Sequence, residues 1–92
     1  MNDLDLAALR QRLEDKDHEL VRLLAERRDL VLAVGELKQA AGLAVHQPER
    51  EAAQAALRAA WAHELGLDPT YVNELFARVV AEARREQAAR RR

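Results

Sequence analysis

The chain has 92 residues, 49% of them hydrophobic but only 3% aromatic, which is enough for one small domain with an aliphatic, alanine-rich core of packed helices rather than a β-sandwich. A net charge of −1 with 34% charged residues gives no overall drive towards nucleic acid or an anionic membrane. The absence of cysteine removes disulfide scaffolds and thiolate metal sites. The N-terminal MNDLDL is acidic and lacks an apolar segment, so no signal peptide is expected, and no apolar run approaches membrane length. The expectation is a cytoplasmic protein without a membrane partner.

The first element runs from about Asp5 to Ala41, proline-free and with a single glycine. Leu6, Leu9, Leu13, Leu20, Leu24, Val31 and Val34 recur at the three-and-four spacing of one helix face, among strong helix formers. Asp3 or Asp5 can accept the first free amides. At 1.5 Å per residue the helix is roughly 55 Å long, against a diameter near 32 Å for a compact globule of this size, so it needs a partner. Gly35 inside it implies close backbone approach, and Gly42 fits the left-handed position just past its end.

Leu43 to Gln47 reads as a short connection, and Pro48 as the first position of a second helix reaching about Glu64. Its alanines, Ala52, Ala55, Ala56, Ala59 and Ala60, let another helix come close. Gly66 ends it, and Asp68-Pro69 starts a third helix, with Leu67 and Val72 placed as a hydrophobic staple. The third helix extends to about Ala88 on a stripe of Val72, Leu75, Phe76, Val79, Val80 and Ala83. The fold class is all-α, with a long, a short and a medium helix in a single domain over residues 1–92 and a basic tail from about 88.

Several polar residues sit where the pattern asks for apolar ones. Arg27 and Lys38 are eleven positions apart, only about 20° around a helix axis, and both lie on the stripe of Leu20, Leu24, Val31 and Val34. Arg10 points about 100° away from Arg27, towards another neighbour. Such cations either snorkel past an interface or line a cavity for an anionic ligand. Gln87 continues the apolar face of the third helix, where it is either a frayed, solvated residue or an amide donor. Arg50 and Glu51 occupy the first turn of the second helix, and an arginine there is either solvated or set against an anion. His18, His46 and His63 have no metal spacing and read as surface residues. With no Ser/His/Asp pattern, phosphate loop or zinc motif, any catalysis is expected to work without a nucleophile, metal or cofactor.

Taken in order, Arg10, LLAERRDLVLAVGELK ending at Lys38, PERE at 48–51 and GLDPTYVNELFARVVAEARREQ ending at Gln87 resemble the all-helical (type II) chorismate mutases. The resemblance covers nearly the whole chain. It implies a homodimer of three-helix chains intertwined through the first helix, and conversion of chorismate to prephenate by a Claisen rearrangement on the way to phenylalanine and tyrosine. It further implies that Arg27 grips one substrate carboxylate and Arg10 of the partner chain another. Lys38 would reach the ether oxygen and a carboxylate, Gln87 would donate to the ether oxygen, Glu51 would accept from the ring hydroxyl, and Arg50 would line that end.

Two positions depart from the family pattern. Gln47 stands where many members have an aspartate, and Ala83 where many have a serine, changes that bear on substrate binding more than on the reaction. They leave room for a sister activity on 4-amino-4-deoxychorismate. An isochorismate-pyruvate lyase shares the fold, but the retained Glu51 favours a mutase. The rival outside catalysis is a helical dimer whose basic residues, Arg84, Arg85, Arg90, Arg91 and Arg92, bind an acidic partner such as nucleic acid, although such a terminal run also reads as a solvated end. A tail binder has no use for Arg27 and Lys38 on an apolar stripe.

Overall fold

The computed structural model describes residues 5–44 and 47–91. Asp3, His46 and Arg92, which entered the reading above, lie outside them. Three helices follow in order, α1 (Leu6–Ala40), α2 (Pro48–Glu64) and α3 (Pro69–Arg90), and there is no strand among the described residues. The chain forms two compact units, the first ending at Leu30 and the second beginning at Val31, so α1 contributes to both.

In the first unit, α1 starts where Asp5 Oδ1 accepts the amide of Ala8 at 2.8 Å, the side-chain cap expected of an aspartate. Surface pairs one turn apart follow, Lys16 with Glu19 and Arg22 with Glu26. The leucines of the stripe are open to solvent, Leu13 at 63% and Leu20 at 60% exposure, so within this unit they have no core to enter.

In the second unit two glycines set the ends of α1 and α2. Gly42 and Gly66 both have φ of 74°, a left-handed conformation that favours a residue without Cβ. At the end of α1, Leu43 N–H donates to Lys38 O and Gly42 N–H to Gln39 O. At the end of α2, Leu67 N–H donates to Ala62 O and Gly66 N–H to His63 O. Both are Schellman closures, which satisfy carbonyls that a helix end otherwise leaves open. α2 begins with Pro48 in its first turn, and α3 with Asp68, whose Oδ1 accepts Thr70 N–H at 3.0 Å. α3 ends two residues beyond the expected Ala88, because the alanine-rich continuation to Arg90 has nothing to break it.

α2 and α3 pack along each other through small and mixed side chains. Asn73 Nδ2 donates to the backbone oxygen of Ala55, Arg58 Nε donates to Asn73 Oδ1, and the Arg58 guanidinium lies 4.7 Å from the centre of the Phe76 ring. Among the described residues only Gly35, Ala62 and Gln87 are buried, so large side chains on all three helices remain accessible. No helix among the described residues is long and apolar enough to cross a membrane.

Candidate functional site

The eight residues singled out in the sequence divide between the two units. Arg10 and Arg27 belong to the first, where Arg10 is exposed and Arg27 half-buried beside the open leucines of α1. Lys38, Gln47, Arg50, Glu51, Ala83 and Gln87 belong to the second.

Gln87 is the most sharply placed of them. Only 7% of it is exposed, and its Nε2 donates to the backbone oxygen of Val31 at 2.8 Å. The reading of a frayed, solvated glutamine is therefore incorrect. The reason lies on α1, where a Cβ at position 35 would come within 3.0 Å of Gln87 Cγ and 3.2 Å of Nε2. Gly35 gives the amide room to lie against the helix, the close approach expected of that glycine. A primary amide has two N–H groups, so the bond to Val31 leaves the donor capacity of Gln87 only partly used. A small cleft of about 210 Å³ opens beside it, lined by Leu32, Gly35, Glu36, Gln39, Gln87 and Arg90.

Lys38 is half-buried in the last turn of α1, the turn whose carbonyls the Gly42 closure ties down. Gln47 stands at the cap position of α2 with φ −126° and makes no side-chain cap bond, as its chemistry predicts, while its carbonyl accepts Glu51 N–H. Arg50 is exposed. Glu51 is half-buried, and its Oε1 accepts from Arg84 Nη2 at 2.5 Å. Ala83, half-buried one turn before Gln87, presents a methyl group where a hydroxyl would donate.

The sequence places Arg84 within the third helix and, in the rival reading, groups it with the terminal arginines, without naming a partner for it. It joins α3 to α2 through Glu51. It follows Val80 by four positions and stands beside the edge of the apolar face, whereas Arg27 and Lys38 lie within the stripe of α1. Arg85, its neighbour, faces solvent instead and pairs with Glu82. The hydrogen bond from Arg85 holds the Glu82 carboxyl below its ordinary range, and Glu82 in turn raises Arg85. Arg91 is also engaged, donating from Nη2 to Leu43 O at 2.9 Å. Asn73 and Arg58 likewise escaped notice, since nothing local distinguishes them from surface polar residues.

Glu51, Arg58, Asn73, Phe76 and Arg84 border a groove of about 460 Å³ between α2 and α3. The second unit thus holds an amide donor pinned to α1, a lysine on a capped helix turn, and a carboxylate held by an arginine. Donors and cations of this kind suit an anionic ligand whose charge shifts during reaction. Among the described residues no group of His, Asp or Glu is arranged to hold a metal ion.

Comparison with known proteins agrees with this chemistry. Over 79 residues the chain is 40% identical to the T-protein of Enterobacter agglomerans, an alignment covering 86% of the chain and 21% of that protein. It is 40% identical over 75 residues to the isochorismate pyruvate lyase of Pseudomonas aeruginosa, covering 82% of the chain and 73% of the lyase. It is 34% identical over 77 residues to the 4-amino-4-deoxychorismate mutase of Streptomyces pristinaespiralis, covering 84% and 60%. The chain therefore spans about a fifth of the length of the T-protein it matches. The profile of the chorismate mutase type II family matches residues 9–88, a stretch that contains all eight candidate residues, and the chain belongs to that family.

Proposed function

We propose that the chain is a chorismate mutase that converts chorismate to prephenate by Claisen rearrangement, in the biosynthesis of phenylalanine and tyrosine. The observation that carries the reading is the family match over residues 9–88, a stretch that contains Arg10, Arg27, Lys38, Arg50, Glu51 and Gln87, residue types that suit the reaction. Chorismate is a dianion that must fold its enolpyruvyl arm over its ring, and its breaking ether oxygen gains negative charge in the transition state. Arginines that grip the two carboxylates hold the folded conformer. A lysine and an amide aimed at the ether oxygen bind the transition state more tightly than the ground state, which is what accelerates the step. In this assignment Arg27 and Arg10 bind carboxylates, Lys38 and Gln87 serve the ether oxygen, Glu51 accepts from the ring hydroxyl, and Arg50, Gln47 and Ala83 line that end. Neither a metal nor a covalent intermediate is needed.

The active form is proposed to be a homodimer, with Arg10 supplied by the partner subunit. The open leucine stripe of residues 5–30 supports this, because such a row in water favours association. A second reading, release of pyruvate from isochorismate, draws support from the Pseudomonas relative of similar length. We favour the mutase because Glu51, in the first turn of α2, is the residue assigned to accept from the ring hydroxyl of chorismate.

Loss of chorismate ultraviolet absorbance with formation of prephenate tests the assignment, and pyruvate release from isochorismate tests its alternative. A protein inactive on chorismate would refute the mutase. The shared site has its own test. Arg10→Ala and Arg27→Ala proteins should each be nearly inactive, whereas unfolding and refolding them together in equal amounts should restore roughly a quarter of parental activity through mixed dimers with one intact site. Mixed dimers as inactive as their components would show that Arg10 does not act across the interface.

A further inference from the structure

Arg84 has no part in the assignment above, yet it is bonded to a residue that does. Its Nη2 donates to Glu51 Oε1, its Nε is buried without a hydrogen-bond partner, and the two residues share the wall of the α2–α3 groove. The carboxylate assigned to the ring substituent is thus already matched with a cation. Arginine keeps its positive charge in proteins, so the neighbour of Glu51 is a fixed cation.

We propose that Arg84 is a specificity-determining residue, which by pairing with Glu51 makes this end of the site favour a substrate carrying a neutral ring hydroxyl over one carrying a cationic ring amine. The inference rests on the proposed function, and in particular on Glu51 meeting the ring substituent.

The argument is one of charge. A carboxylate offers about four lone-pair positions, so a bond from Arg84 leaves Glu51 able to accept from a hydroxyl. A hydroxyl has no net charge and is little affected by the guanidinium beside its acceptor. An alkyl amine is an ammonium near pH 7 and would approach a carboxylate whose charge is already neutralised, with a second cation within a few ångströms. Rejection of the amine thus arises from an unfavourable neighbour rather than from a lost contact, a common way to build selectivity. The pair itself contributes little to the fold, since the side chains are 38% and 27% exposed and solvent screens them.

The experiment compares kcat/KM for chorismate and 4-amino-4-deoxychorismate in the parent, Arg84→Met and Arg84→Lys proteins, with circular dichroism to confirm folding. Arg84→Met should raise the amino-to-hydroxyl ratio by about tenfold or more, and Arg84→Lys should keep it within about twofold of the parent. A purely structural defect would lower both activities together and leave the ratio where it was. An unchanged ratio in folded Arg84→Met, or a ratio in Arg84→Lys shifted as far as in Arg84→Met, overturns the inference and leaves the mutase intact. A parent inactive on both substrates overturns the function, and the inference with it.

Discussion

Residues 5–30 and residues 31–91 are stabilised in different ways. In the first region the side-chain bonds of Gln11 with Asp15, Lys16 with Glu19 and Arg22 with Glu26 join residues three or four apart. Such pairs contribute about 0.2–0.5 kcal/mol each and support a helix without packing it against anything. The leucines between them stay in water. In the second region Gln87 reaches Val31, Arg84 reaches Glu51, Asn73 reaches Ala55 and Arg91 reaches Leu43, bonds that close separations of up to 56 positions. The contrast teaches that one helix can serve two purposes, its first part offering a surface and its last turns anchoring a constellation. Experiments can break the contrast or sharpen it.

The largest effect is expected where one residue from each region is assigned to the same chemistry. Arg27→Ala and Lys38→Ala should each lower kcat/KM at least a hundredfold, about 3 kcal/mol or more, with helix content unchanged. Full activity in Lys38→Ala would remove the proposed contact to the ether oxygen.

Next comes the surface itself. Leu20→Glu places a charge on a stripe proposed to be buried in the dimer, and a symmetric interface carries the change twice. Dimerisation should weaken by about 3 kcal/mol or more. Sedimentation at matched concentrations reads this, and an undisturbed dimer would mean that the stripe is not the interface.

In the second region, Gln87→Glu replaces the amide donor facing Val31 O with a group that donates only when protonated. Burial beside a carbonyl raises the folded-state pKa of the introduced carboxyl above its unfolded value. The variant should therefore be nearest the parent in stability at acidic pH, and its deficit should grow as pH rises through that raised pKa, reaching about 1–3 kcal/mol. Its activity should likewise increase from about pH 8 towards about pH 5 relative to the parent, as the neutral acid regains a proton to donate. Parallel pH profiles would show that the amide donor of Gln87 is immaterial.

The smallest effect concerns a helix start. Gln47 leaves α2 without a side-chain cap, whereas Asp5 and Asp68 cap α1 and α3. Gln47→Asp should stabilise the protein by about 0.5–1 kcal/mol in thermal melts. No gain would indicate that the backbone at position 47 cannot present a carboxylate to the α2 amides.

Helix starts and stops were legible in the sequence because they depend on chemistry within a few residues. Pro48, Asp68, Gly42 and Gly66 each act at the place their local preferences indicate. Pairings between helices were not legible. Gly35 announced a close approach without naming Gln87 as what approaches, and nothing near Glu51 points to a residue thirty-three positions away. Arg84 stands at the edge of the α3 apolar face, where a charge reads as ordinary, and the arginines after it invited grouping with a solvated end. That Asn73 bridges Arg58 to the backbone of α2 depends on the register of α2 against α3, which no single-helix pattern contains.

The Gly42 closure has a further consequence for Lys38. The final turn of a helix ordinarily frays, and a lysine there would sample many backbone states before a substrate arrived. Leu43 N–H holds the carbonyl of Lys38 itself, so the main chain at this position is ordered in the free protein. The entropy of fixing one residue's backbone, on the order of 1–2 kcal/mol, is then lost during folding rather than during catalysis. A glycine four residues away, touching nothing within 4 Å of where its Cβ would stand, thus lowers the reorganisation that the contact proposed for the Lys38 ammonium would require.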